Sequence, residues 1–318
     1  MILADAVFTG IRQLATLVPG EVPRRGPEMS ELGVVEEAEI AVRDGHIAWV
    51  GRSNRRRREV RLTSGGRTVD LGGACVVPGF VDAHTHVLFG GDRSHELTLK
   101  VEGQSYLEIA QAGGGLLSTV RATRRASTES LRRAALARLA GMAAGGTTSA
   151  EVKSGYALTL PGELRLLRLV PGLARSSGLH LVPTFLGAHA IPPEYAGRAD
   201  DYVDLVVKRM LPAVAAERLA RFCDVFCEPG FFSVTQAGRI LRAALGHGLE
   251  VKIHADEFVY SGGARLAAEM HVRSAEHLLA VHEEDRAGLA EAGVTAVLLP
   301  VTPFASLSGT RSPGREMV

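Results

Sequence analysis

From about residue 76 the chain alternates short apolar runs with longer segments rich in Ala, Leu, Arg and Glu. The apolar runs cover 76–82, 147–152, 180–187, 223–228, 249–254, 272–276 and 295–300. Each has strand length and is apolar at consecutive positions, the pattern of a strand buried on both faces of a parallel sheet. The segments 130–145, 163–177, 202–222, 234–248 and 263–270 carry helical spacing. Repeated strand–helix units predict a parallel α/β architecture, and their number favours a (β/α)8-type TIM barrel over an open sheet.

Residues 1–70 follow a different rhythm, with β-like pieces broken by turns. Asp44-Gly45 stands between two β-rich runs within 38–51, a hairpin signature. Residues 19–33 read as a loop, and the whole N-terminal stretch as a small β-sheet module.

Polar residues gather just beyond the strand runs, where a barrel collects its active-site groups. "HTH" follows the first run, "EVKSGY" the second, "GAHA" the third, "HADE" the fifth and "EH" the sixth. His84 and His86 are two apart, a spacing that puts both imidazoles on one side at a strand end. Two such rings can share a zinc or iron ion. A chance pair on a wet strand is the competing reading, and Asp82 is either an orienting group or a turn residue. His189, His254 and His277 end later runs. One buried histidine of this kind is ordinarily a core residue, but strand ends that repeatedly carry histidine suggest a common site. Glu257 is either a general acid/base beside a metal or a helix N-terminal charge. Arg93 and Tyr156 lie in loops on the same expected face, where an arginine can fork onto a carboxylate. The other histidines, including His95, His180, His247, His271 and His282, sit in loop or helix-edge contexts. "GGG" at 113–115 lacks the Lys-Ser/Thr of a phosphate loop.

Composition narrows the classes. The chain is 46% hydrophobic and 22% charged, as ordinary globular proteins are. A formal net charge of +1 gives no electrostatic reason to expect nucleic acid or an anionic membrane as partner. The basic run at 55–58 has no interleaved aromatics and reads as a solvated loop. The odd, low cysteine count, Cys75, Cys223 and Cys227, fits a reduced, cytoplasmic setting better than a disulfide framework. Cys223 and Cys227 read as small buried hydrophobes. There is no signal-peptide pattern and no run long enough to span a bilayer.

"VVPGFVDAHTH" resembles the metal-binding entry strand of the amidohydrolase superfamily. The blocks "HTHVLFGGDR", "GQSYLEIAQAGGGLLSTVRATRRAS", "GTTSAEVKSGYALTL", "PTFLGAHAIPPEY", "CDVFCEPGFFS" and "HADEFVYSGGARLAAE", in that order, resemble the imidazolonepropionase family. The resemblance implies a small β-sandwich portion over 1–75 and a metal-bearing barrel over 76–304. It implies hydrolysis of the ring amide of 4-imidazolone-5-propanoate to N-formimidoyl-L-glutamate, in histidine degradation. His84, His86 and His254 match ligands of one divalent or trivalent ion, zinc or iron. Arg93, Tyr156 and His189 match substrate-holding residues. Glu257 matches a ring contact that assists proton transfer, and His277 a histidine that polarises the carbonyl or positions water. The implied partner is that small molecule; a homodimer is left open.

The family pattern also carries an eighth barrel strand ending in an aspartate that serves as fourth ligand and proton carrier. Seven runs are present here, and the last aspartate is Asp285. Residues 305–318 read as a tail outside the pattern. The expectation is therefore a barrel lacking its eighth strand. Two alternatives stay open. One is another cyclic-amidohydrolase or deaminase specificity, against which Arg93, Tyr156 and "GAHA" count. The other is a metal-binding fragment without activity, which the missing aspartate favours.

Overall fold

Strand and helix in the second part of the chain follow the apolar runs closely. The structure is a computed structural model that describes residues 1–18, 24–104, 108–109, 112–307 and 309–318. Residues 105–107, 110 and 111 of the long block at 103–127, 19–23 of the expected N-terminal loop and 308 of the tail lie outside the described residues. Two units are distinguished, Met1–Gly79 with Val318, and Phe80–Met317.

The first unit is a four-stranded mixed sheet of β1 (Ile2–Ala15), β2 (Val34–Arg43), β3 (His46–Arg52) and β4 (Val60–Val76), in the order β3-β2-β1-β4. β1 pairs parallel with β4 and antiparallel with β2. Asp44 and Gly45 turn the β2–β3 hairpin with φ of +50° and +77°. Positive φ at both central residues is what a type I′ turn requires, which explains the Asp-Gly pair. The basic run corrects its expectation: it forms a short helix, Ser53–Glu59, instead of a loop. Arg55 pairs with Glu59 at 2.8 Å one turn away in the helix, and Arg56 pairs with Glu39 of β2 at 2.8 Å.

The second unit holds seven parallel strands in the order β11-β10-β9-β8-β7-β6-β5. They are β5 (Phe80–Asp82), β6 (Thr147–Lys153), β7 (His180–Ala188), β8 (Phe222–Cys227), β9 (Glu250–Ala255), β10 (Ser274–His277) and β11 (Thr295–Val297). Every run expected as a strand contains one. The first starts late because Val76 ends β4 and Pro78, which lacks an N–H, separates the two. The last, Thr295–Val297, is shorter than its run and ends three residues before Pro300. No eighth strand joins this sheet among the described residues.

Helices fill the crossovers, including Thr128–Ala144, Leu160–Ser177, Val234–Gly246 and Gly263–Glu269. Their starts carry local caps: Ser127 accepts from the Ser130 N–H, and Ser233 forms a capping box with Gln236. The expected helix over 202–222 is instead a run from Ala199 to Ala216 containing a π turn at Val206–Met210, and Phe222 belongs to β8. Buried Phe185, Val206, Met210, Leu241 and Ile253 form part of the main apolar core. β8, β9 and β10 are buried along nearly their whole length. This is the (β/α)-barrel type of architecture, and its parallel strands all deliver their carboxyl ends to one side.

Candidate active site

At those carboxyl ends a cavity of about 580 Å³ is lined by His84, His86, Arg93, Tyr156, His189, His254, Glu257 and His277. All eight residues singled out in the sequence therefore meet in one place. His84 and His86 lie just beyond β5, His189 just beyond β7, His254 in β9, Glu257 in the following loop and His277 at the end of β10. His277 has φ of +73° and Leu278 +56°, uncommon values for non-glycine residues, so the chain is strained where β10 enters the site.

The imidazoles are close-packed. His84 Nε2 and His86 Nε2 are 3.2 Å apart. Ligand-capable atoms of His84, His254 and His277 lie within 4.8 Å of one another, and His86 adjoins that group through His84. His84 Nδ1–H donates to Glu276 Oε2. His254 Nδ1 is 2.8 Å from Asp224 Oδ2, a hydrogen-bond distance with the ring turned off the best angle. His189 Nδ1 is 3.1 Å from the Gly155 carbonyl, the only role open to it there being donor. Asp82 accepts from the His84 backbone N–H, so it is a turn residue and Glu276 orients the ring.

Burial dominates the electrostatics. It pulls His84 down to about 4 and His189 to about 3, and holds His86 and His277 well below the usual imidazole range. These rings are neutral at pH 7 and keep a lone pair for a cation. Burial also raises Glu257 to about 7, and its Oε2 lies 3.4 Å from His277 Nε2. Such a carboxyl can hold or give up a proton near neutrality.

The donor set fits a metal ion. His254 Nε2 is buried with no hydrogen-bond partner among the described residues. Nε2 of His84, whose proton sits on Nδ1, faces Nε2 of His86. Converging imidazole nitrogens suit zinc or iron.

At the mouth, Glu96 Oε2 accepts from Arg93 Nε and Nη2 at 2.9 and 2.8 Å and so fixes the guanidinium plane. Its other oxygen accepts from Gly115 N–H at 2.7 Å, which gives the "GGG" stretch a local structural role. Tyr156 stands 5.0 Å from His189 and 5.6 Å from His86, ring to ring. Glu163 accepts from the backbone N–H groups of Gly155, Ala157 and Leu158, which holds the Tyr156 loop. Glu228 does the same for Glu257, Phe258 and Val259 at 2.9–3.1 Å. Replacing Glu228 by alanine leaves three N–H groups without their acceptor. Urea unfolding should then show a loss of about 1–3 kcal/mol, and an unchanged midpoint would refute this.

Sequence reasoning missed the layer beneath the histidines. Lys153, Asp224 and Glu276 are fully buried, and Glu151 and Lys252 almost so. Their signal was a charge inside an apolar strand, as in "FCDVFC" and "EVKIHA". Cys223 and Cys227 are buried and free, in keeping with small hydrophobes. The other histidines do not line the cavity; His282, for example, stacks on Tyr260 at 3.7 Å. No described helix is long and apolar enough to cross a membrane.

Comparison with known proteins adds a family. The chain is 49% identical over 315 residues to an imidazolonepropionase of Symbiobacterium thermophilum, covering 99% of this chain and 74% of that protein. It is 44% identical over 316 residues to one of Alkaliphilus metalliredigens, covering 99% and 75%. No protein-family profile matches. Among solved structures, a zinc-bound adenosine deaminase from Xanthomonas campestris is similar with a TM-score of 0.64, at 18% identity over 99% of this chain and 67% of that one. The zinc complex of atrazine chlorohydrolase TrzN from Arthrobacter aurescens TC1 also gives 0.64, at 16% identity over 98% and 69%. At these identities the likeness is one of fold.

Proposed function

The chain belongs to the imidazolonepropionase family, and from that footing we propose that its cavity hydrolyses the ring amide of 4-imidazolone-5-propanoate to N-formimidoyl-L-glutamate. The observation that carries the reading is the meeting of His84, His86, His254 and His277 with Arg93, Tyr156, His189 and Glu257 around one cavity.

His84, His86 and His254 would hold one metal ion, zinc or iron. When bound, such an ion supplies Lewis acidity, which makes water nucleophilic at neutral pH and polarises the carbonyl. The remaining work belongs to the side chains. Arg93, held by Glu96, pairs with the propanoate carboxylate and sets the substrate's depth. Tyr156 flanks the ring. His189, with its proton on Nδ1, offers Nε2 as acceptor to a ring N–H. Glu257 takes a proton from the attacking water and returns it to the ring nitrogen as the C–N bond opens. His277, 3.4 Å from Glu257, donates toward the oxygen on which charge develops. Free cysteines fit a reducing compartment, and the reading includes the cytoplasm.

The test is turnover. The purified chain, supplied with zinc or iron(II), should consume 4-imidazolone-5-propanoate and release N-formimidoyl-L-glutamate. Metal uptake without turnover would overturn the proposal in favour of a non-enzymatic metal-binding role, and the absence of both uptake and turnover would overturn it outright. In the active chain, Arg93→Met should raise KM about 10–100-fold with little change in kcat, since charged hydrogen bonds are worth about 1.5–3 kcal/mol.

A further inference from the structure

Beneath the histidines, one ammonium group touches the carboxylates that face two of them. Lys153 Nζ lies 2.6 Å from Asp224 Oδ2, 2.9 Å from Glu276 Oε2 and 3.0 Å from Glu151 Oε2. The oxygens are the informative part. Glu276 Oε2 is also the acceptor for His84 Nδ1–H, and Asp224 Oδ2 is the oxygen 2.8 Å from His254 Nδ1. In both cases the oxygen that faces the ammonium faces an imidazole as well. The outer oxygens are fixed too. Lys252 Nζ holds Glu276 Oε1 at 2.6 Å, and Asp224 Oδ1 accepts from Val225 N–H at 2.7 Å. Neither carboxylate can turn away without breaking a second bond.

A buried ion cluster is weak support for stability, because apolar residues of similar size often serve as well or better. Placement directly behind two ligands points to a different use. An ionised carboxylate only accepts hydrogen bonds, so it selects the imidazole form with the proton on Nδ1 and the lone pair on Nε2.

We propose that Lys153 is a positioning residue that yokes Asp224 and Glu276, so that His254 and His84 present Nε2 to the cavity before any metal arrives. The inference rests on the reading of those histidines as ligands. It goes beyond that reading by assigning a shared control to two ligands from strands far apart in the chain.

Two measurements test it. The first is zinc affinity by chelator competition on Glu276→Gln, Asp224→Asn and Lys153→Met. Glu163→Gln is the control, a buried carboxylate that binds backbone N–H groups and touches none of the ligands. The three yoke variants should bind zinc about 10–100-fold more weakly, and the control should match the parent. Parental affinity in Lys153→Met, or in both Glu276→Gln and Asp224→Asn, overturns the proposal, as does an equal loss in the control. The second is the histidine nitrogen-15 spectrum of the metal-free parent chain, which needs no variant to fold. His84 and His254 should both carry the proton on Nδ1; a proton on Nε2 of either overturns the proposal. If the parent shows both Nδ1 protons yet binds no zinc, the ligand reading fails and the yoke stands.

Discussion

Replacing His254 by alanine should weaken zinc binding by on the order of 10³-fold or more, and turnover should fall below detection with it. Loss of an outer partner typically costs about 10–100-fold in metal affinity, and loss of a ligand exceeds that. His254 is the clearest ligand because its Nε2 is buried and lacks any other hydrogen-bond partner among the described residues. Metal content after dialysis against a weak chelator is the direct readout. His189→Ala is the contrast: it should keep the metal and lose substrate affinity, since His189 is tied to Gly155 and faces the cavity from β7. If His254→Ala kept stoichiometric zinc at parental affinity, the metal would have to sit elsewhere.

The second large effect is on folding. Lys153→Met removes the ammonium between Asp224, Glu276 and Glu151 and leaves no cavity, because methionine nearly fills the space. Breaking a buried ion pair from one side costs about 3–5 kcal/mol, since the opposite charge stays buried without its partner. The three carboxylates hold the lysine proton far more firmly than water would, which is the same coupling seen from the other side. Urea unfolding of the metal-free chain should show this loss, and heating should show a drop of roughly 10 °C for a unit of this size. A change below about 1 kcal/mol would mean that Lys252 alone compensates the cluster.

The strands of the second unit were legible because parallel strands covered on both faces leave continuous apolar runs. Their polar carboxyl ends were legible for a related reason, as histidine and glutamate stand out against such runs. Lys153, Asp224 and Glu276 were not. A lone charge in a sequence reads as solvent-facing, and only the folded sheet brings residues from β6, β8 and β10 together. The basic run at 55–58 misled because one of its acidic partners, Glu39, comes from β2, far off in the sequence. The i, i+2 spacing rightly brought His84 and His86 together. It could not show that His84 would also group with His254 and His277, because their proximity depends on β5, β9 and β10.

On the ribosome, the sheet of the second unit can be laid down one strand at a time, since each new strand pairs with the one made just before it. The polar layer cannot be assembled that way. Lys153 waits 71 residues for Asp224, and His84 waits 192 for Glu276. Until β10 is synthesised, Lys153 has Glu151 and Asp224 but lacks the third of its carboxylates, and His84 has no Glu276 to accept its Nδ1–H. Closure of the network is thus a late event that marks the arrival of β10, and an interrupted nascent chain is left with an exposed, chemically mismatched edge for a chaperone or protease to find.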